Sequence, residues 1–305
     1  MGRLGGYNFL FLIGASALTI RAILDSSFRN STLLYLLVPF AISIAIQKLV
    51  PRSDELHWGA RLTDHLRSAT IIFLATSALL FEGFICVLFF MPIYYLIVLV
   101  GYGVTGFLDK DDEGNRFRAF GIPALVLLLS AEGLTEATTV ERYREATHVA
   151  VLDGSIAALQ ANMARPIGFE QERSWFLSIF PLPTRVEAGT LKAGDVHRMH
   201  FLYKRWFLAN YHEGEMHVRI AEVSPARIRT EITRNDSYLS HYMKVEGTEV
   251  LFRDVGGGRT EVRLTVKYQR LLDPVWYFGP LQQRAAQESA RYLVETIIAR
   301  RPVES

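Results

Sequence analysis

Apolar and polar residues alternate along this chain in two distinct styles. Over the first third, long apolar runs carry almost no charge. Residues 7–24 contain one charged side chain, Arg21, residues 32–46 contain none, and residues 69–107 contain only Glu82. A membrane-crossing helix needs about 20 apolar residues, so the last run predicts a helical hairpin and the first two predict one span each. Residues 119–130 form a fifth, weaker run that reaches spanning length only when extended to 117–134. Between the second and third runs, Leu56, Trp58, Leu62 and Leu66 fall on one side of a short helix, with Arg61 and Arg67 placed to meet lipid headgroups. Glu82 sits at the expected turn of the hairpin, and Pro92 is the competing turn.

From Thr138 onward the period changes. Residues 143–152, 185–191, 197–210, 215–223, 227–234, 248–255 and 260–271 read as strands. In the last of these Val262, Leu264, Val266 and Tyr268 share one face, while Glu261, Arg263, Thr265 and Lys267 share the other. One wet face and one dry face suit an antiparallel sheet. Gly256-Gly257-Gly258 between the last two strands predicts a hairpin turn and not a phosphate cradle. A short helix follows Asp153, its expected N-cap, and a long one opens at Pro280 with Leu281, Ala285, Tyr292, Leu293 and Ile297 near helical spacing. The chain is thus expected to be α+β: an α-helical transmembrane region of four to five spans over 1–135, then a soluble domain over 136–305.

Charge sets the expected orientation. Lys48, Arg52, Arg61 and Arg67 lie between spans two and three, and Lys110, Arg116 and Arg118 follow span four. The turn between spans three and four has no basic residue. The positive-inside rule then puts both basic segments in the cytoplasm; a fifth span carries the C-terminal domain to the outer side, in a periplasm or its equivalent, whereas an interfacial fifth segment leaves it cytoplasmic. The formal net charge of +2 gives no nucleic-acid footprint. One cysteine, Cys86, excludes an internal disulfide and any zinc site needing two thiolates.

A resemblance enters with three stretches: "WFLSIFPLP", "VLFRDVGGGRTEVRLTVKYQRLLDP" and the closing amphipathic helix. Through them residues 151–301 resemble the helix-grip fold of the START/polyketide-cyclase superfamily, also called SRPBCC. The apolar N-terminal region with "EGFICVLFFMP" is similar to bacterial membrane proteins that carry such a domain at their C-terminus. The resemblance implies a curved antiparallel sheet around a long C-terminal helix, with an apolar cavity that takes lipids, isoprenoids, polyketides or other hydrophobic small molecules.

No paired acid and base, metal motif or cofactor motif stands out, so the sequence names no catalytic residue and leaves that question open, while no metal or cofactor is expected. Tyr238, His241 and Tyr242, with Tyr203 and Tyr268, are the candidates for hydrogen bonding inside the cavity. Arg205 is a candidate for a ligand headgroup. Val262, Leu264 and Val266 are expected to line the cavity, and Trp276 and Tyr277 to stand at its mouth or touch the bilayer. His212 and His217 are expected to approach one another across a turn at Gly214. The leading function is membrane-anchored binding or transport of a hydrophobic molecule. A ligand hiding roughly 300–400 Å² of apolar surface would gain on the order of 8–10 kcal/mol before binding costs. The alternatives are a cyclase or dehydratase using the same cavity, and a membrane-tethered protein-interaction module.

Overall fold

A computed structural model of the chain describes residues 58–79, 89, 91–99, 132, 138–169, 173–187, 189–204 and 211–300. The chain divides into two compact units, Met1–Val140 with Trp206–Leu208, and Glu141–Arg205 with Ala209–Ser305.

In the first unit, helix α1 (Trp58–Leu79) runs unbroken through the boundary expected at Ala69. A second helix, α2, covers 91–99, and Pro92 lies within it and makes no turn. The two helices pack around Ala69, Tyr94 and Val98. Leu62 and Leu66, expected on the apolar face of an interfacial helix, pack instead in that same cluster. His65 is buried beneath them, with its Nε2 2.8 Å from the Tyr94 hydroxyl. Among the described residues no helix is long and apolar enough to cross a membrane. The first half of α1 carries Arg61, Asp64 and Arg67, which removes it from that class. The expected spans at 7–24 and 32–46 lie outside the described residues, as do Glu82 and all of 117–134 except Glu132, and the expected hairpin is described only in part.

The second unit is built on one eight-stranded antiparallel sheet. Its strands are β1 (Tyr143–Asp153), β2 (Ile167–Gly168), β3 (Leu182–Glu187), β4 (Val196–Lys204), β5 (Tyr211–Ser224), β6 (Arg227–Asn235), β7 (Met243–Gly256) and β8 (Arg259–Arg270). They lie in the order β1-β8-β7-β6-β5-β4-β3-β2. Strands next to one another in sequence are therefore neighbours in space, except that β1 and β2 take opposite edges. The link between them holds α3 (Ile156–Ala164), and α4 (Trp175–Ser178) lies between β2 and β3. Helix α5 (Val275–Tyr292) continues as a π-helical turn, Leu293–Ile298.

The sheet curls into a half-barrel that grips α5. Ile228, Val250, Val262, Leu264 and Val266 from the sheet meet Ala290, Val294 and Ile298 from the terminal helix and Leu159 from α3. This is the sheet-on-helix layering that alternating strands and an amphipathic helix require.

Local chemistry explains where the elements begin and end. Strand β1 keeps Asp153, so Ser155, and not Asp153, caps α3: its Oγ accepts from the Ala158 N–H. Helix α5 starts five residues before Pro280, with Pro274 as its N-cap. Pro280 therefore sits inside the helix, where its missing N–H forfeits one bond along the ladder. The Gly256–Gly258 turn has φ of 82°, 65° and 72° at its three glycines, a run that other residues adopt only under strain. Gly214 is no turn but part of continuous β5, where a Cβ would lie 2.6 Å from both Asp236 O and Ser237 Cα.

Strands β6 and β7 pair at only three positions, Arg227↔Leu251, Ile228↔Val250 and Arg229↔Glu249. Beyond these, Thr230 Oγ1 accepts from the Thr248 N–H at 3.0 Å and lies 2.8 Å from Thr248 Oγ1. A bulge at Val245/Gly247 adjoins this point, and a Cβ on Gly247 would sit 2.0 Å from Thr230 O.

Candidate functional site

Curling leaves space between the concave face of the sheet and α5: a cavity of about 230 Å³. Alternation along the strands decides what enters it. On β4 it is His197, Met199 and Phe201; on β5, Met216, Val218 and Ile220; on β8, Leu264 and Val266. Helix α5 and its π-helical extension contribute Ala285, Ala286, Ser289, Tyr292 and Leu293, and the segment around α4 closes one side with Phe169, Leu177, Phe180 and Pro181. Ser174 Oγ caps α4 by accepting from the Leu177 N–H, which turns Phe176 and Leu177 inward and leaves Trp175 74% exposed.

Few polar groups interrupt this lining. Among the described residues of the lining Arg173 bears the one permanent charge; its Nη2 donates to Phe169 O and Pro183 O, both at 2.8 Å, and so ties together the two ends of the segment carrying α4. Among the described residues no carboxylate pairs with it. Its guanidinium carbon lies 5.9 Å from the centre of the Phe169 ring, which stacks on Tyr292 with centroids 6.2 Å apart. The Tyr292 hydroxyl is buried and, among the described residues, has no hydrogen-bond partner. His197, 7% exposed, places Nε2 2.7 Å from Thr190 O; a carbonyl only accepts, so Nε2 carries the proton. Thr230 and Thr248 satisfy one another across the β6–β7 seam.

The residues singled out from sequence fall in three places. Leu264 and Val266 line the cavity. Val262 and Tyr268 share their face and are fully buried, yet lie outside the lining, because Val262 packs in the core and the Tyr268 hydroxyl is 2.8 Å from Gln283 Oε1 on α5. Burial pushes the Tyr268 hydroxyl up to about 12, with Arg144 and Arg270 opposing the shift.

Tyr203, Tyr238, His241 and Tyr242 do come together, but with one another and not in the cavity. Tyr238 stacks on Tyr203 at 5.0 Å and on His212 at 4.9 Å, and meets His241 and Tyr242 at 4.7 and 5.6 Å. The 3₁₀ turn Tyr238–His241 that carries them sends Leu239 into the cavity instead. Gln282 Nε2 holds this turn to α5 by donating to Tyr242 O at 2.7 Å. Trp276 is 46% exposed and Tyr277 half-buried in the first turn of α5, apart from the lining. Arg205 lies outside the described residues.

His212 and His217 do not approach as expected, since the continuous strand puts them on opposite faces. His217 instead shares Glu215 with His200, at 3.3 and 3.4 Å, and Glu187 reaches His200 from β3 at 3.0 Å. The hydrogen bond from His217 holds the Glu215 carboxyl below the usual range. Among the described residues no group of three or more such side chains is arranged to hold a metal ion.

No known family model matches the chain, and no curated protein does. Solved structures similar to it include a START superfamily protein from Mycobacterium smegmatis, 11% identical, covering 50% of this chain and 92% of that one with a TM-score of 0.34. Norcoclaurine synthase from Thalictrum flavum is 11% identical over 54% of this chain and 92% of its own, with a TM-score of 0.28. A major latex-like protein from Panax ginseng is 9% identical over 49% and 97%, with a TM-score of 0.26.

Sequence reasoning missed Phe169, Arg173, His197 and Tyr292 as cavity residues. Tyr292 was legible only as one apolar step of a helix. Arg173 precedes an apolar segment whose folding back over the cavity no local pattern announces.

Proposed function

We propose that the second unit binds a hydrophobic small molecule in the cavity between its sheet and α5. The observation that carries this reading is the lining itself: of more than thirty residues, only six bear a polar side-chain group. An apolar space with a few placed polar groups is what a small-molecule site requires. The volume tempers the energetics, because about 230 Å³ lies below the roughly 300–1,000 Å³ of drug-sized pockets. A guest hiding roughly 200 Å² of apolar surface gains on the order of 5 kcal/mol before binding costs, less than a long lipid would.

The test is native mass spectrometry of the full-length chain beside Ser289→Phe, which fills the cavity from α5. The wild-type chain is expected to carry a small co-purifying molecule or to take up toluene, and the variant to do neither. Equal uptake by both would place binding elsewhere and sink this reading.

Membrane anchoring by the N-terminal region belongs to the same proposal. The charge-poor runs at 7–24, 32–46 and 69–107 support it. In this reading the protein resides in a bacterial inner membrane and holds the cavity next to the bilayer, on the periplasmic side. Carbonate extraction of membranes should leave the chain in the pellet, and a C-terminal reporter active on one side only reads its orientation. Recovery in the soluble fraction would refute the anchoring.

A further inference from the structure

Three observations bear on what the cavity accepts, and each concerns a different property of the guest. The first is size. A cavity of about 150 Å³ takes benzene, so one of about 230 Å³ holds on the order of eight or nine non-hydrogen atoms. Long-chain lipids and sterols exceed that severalfold.

The second is the hydroxyl of Tyr292, a residue of the lining: it is buried and, among the described residues, has no hydrogen-bond partner. A phenol is an O–H donor, and leaving it unmade in an apolar interior costs free energy that a phenylalanine would not. Its ring is already held by stacking on Phe169. Packing therefore accounts for the ring but not for the oxygen.

The third is sign. Among the described residues Arg173 is the one formally charged side chain of the lining, and its guanidinium lies over the same Phe169 ring. Its two hydrogen bonds go to neutral carbonyls, so its charge is not cancelled by them. The Arg173 charge favours an electron-rich or anionic oxygen beside it and disfavours a cation.

Building on the reading of the cavity as a binding site, we infer that its guest is a short or single-ring apolar molecule bearing one hydrogen-bond-accepting oxygen, a carboxylate foremost. That oxygen accepts from Tyr292 on the Arg173 side, and the apolar remainder lies among Met199, Met216 and Val266.

The experiment uses the full-length chain and its Tyr292→Phe variant, which keeps the stacked ring and removes only the oxygen. Four probes are titrated by ligand-observed NMR: hexanoate, hexylammonium, toluene and palmitate. Hexanoate is expected to bind the wild type and to weaken roughly tenfold in the variant, the effect of one hydrogen bond to a charged group. Toluene should bind both proteins equally, while hexylammonium and palmitate should bind neither. Without ligand, the variant should melt at the same temperature as the wild type or higher, because an unsatisfied buried group has gone.

Equal hexanoate affinity in the two proteins, preference for palmitate, or a lower melting temperature of the free variant would each overturn the inference. In those cases toluene binding would leave the wider cavity reading standing. Failure of both toluene and hexanoate to bind the wild type would remove both.

Discussion

Asp273 is 3% exposed and shared by two guanidinium groups: Arg142 Nη2 lies 2.6 Å from one carboxylate oxygen and Arg270 Nη1 3.5 Å from the other. Arg270 is itself fully buried, and its Nη1 also donates to Leu272 O at 3.1 Å. The cluster fastens the end of β8 and the approach to α5 to the residue just before β1. Removing one partner of a buried pair strands the other charge, so Asp273→Asn should cost about 3–5 kcal/mol in urea denaturation. A loss below about 1 kcal/mol would mean that the carbonyls alone hold the guanidiniums. Tyr268 offers a pH test. Burial raises its hydroxyl from 10.0 to about 12, so the fold favours the neutral phenol. That contribution is intact below pH 10 and is lost as pH climbs through about 12. Tyr268→Phe should flatten the alkaline fall in melting temperature, and an unchanged profile would assign the fall to other groups. At this scale the sequence was legible where side chains alternate strictly, as at Val262, Leu264 and Val266. Arg270 continues that buried face, and alternation alone does not announce that a charge at this position is buried beside a carboxylate.

Among the elements, the β6–β7 seam stands apart. Three ladder pairs and one threonine pair join these strands, whereas β7 and β8 pair along nearly their whole length. The seam bends because Gly247 lets the two backbones come closer than any side chain permits. Gly247→Ala would place a Cβ 2.0 Å from Thr230 O, and backbone would have to move. The variant should lose more than about 2 kcal/mol of stability, beyond the ordinary strain of an overpacked site. A neutral outcome, read by denaturation, would show that the seam is free to relax. Strands β7 and β8 were visible in the sequence because hydrophobic alternation and a glycine turn point to the same hairpin. The true start of α5 was not: Pro280 resembles a first-turn proline, and only tertiary packing extends the helix to Val275.

At the level of the whole molecule, local periodicity distinguished an apolar N-terminal region from an α+β domain. The cavity was harder to read, since its lining draws on many elements far apart in sequence and depends on how tightly the sheet curls. The aromatic cluster around Tyr238 shows the same limit. Those rings gather as their spacing suggested, but the turn that carries them directs Leu239, and not Tyr238, inward.

The edge position of β1 has a temporal consequence. Its partner is β8, more than a hundred residues downstream, with Tyr143 opposite Gln269 and Asp153 opposite Arg259. During synthesis, β1 therefore emerges long before the strand that pairs with it, and α5 emerges later still. Until then the apolar concave face has nothing to close over it, a state prone to association with other exposed apolar surfaces. Completion of the container thus waits on synthesis through α5, and a product terminated before that helix would present an open, sticky trough.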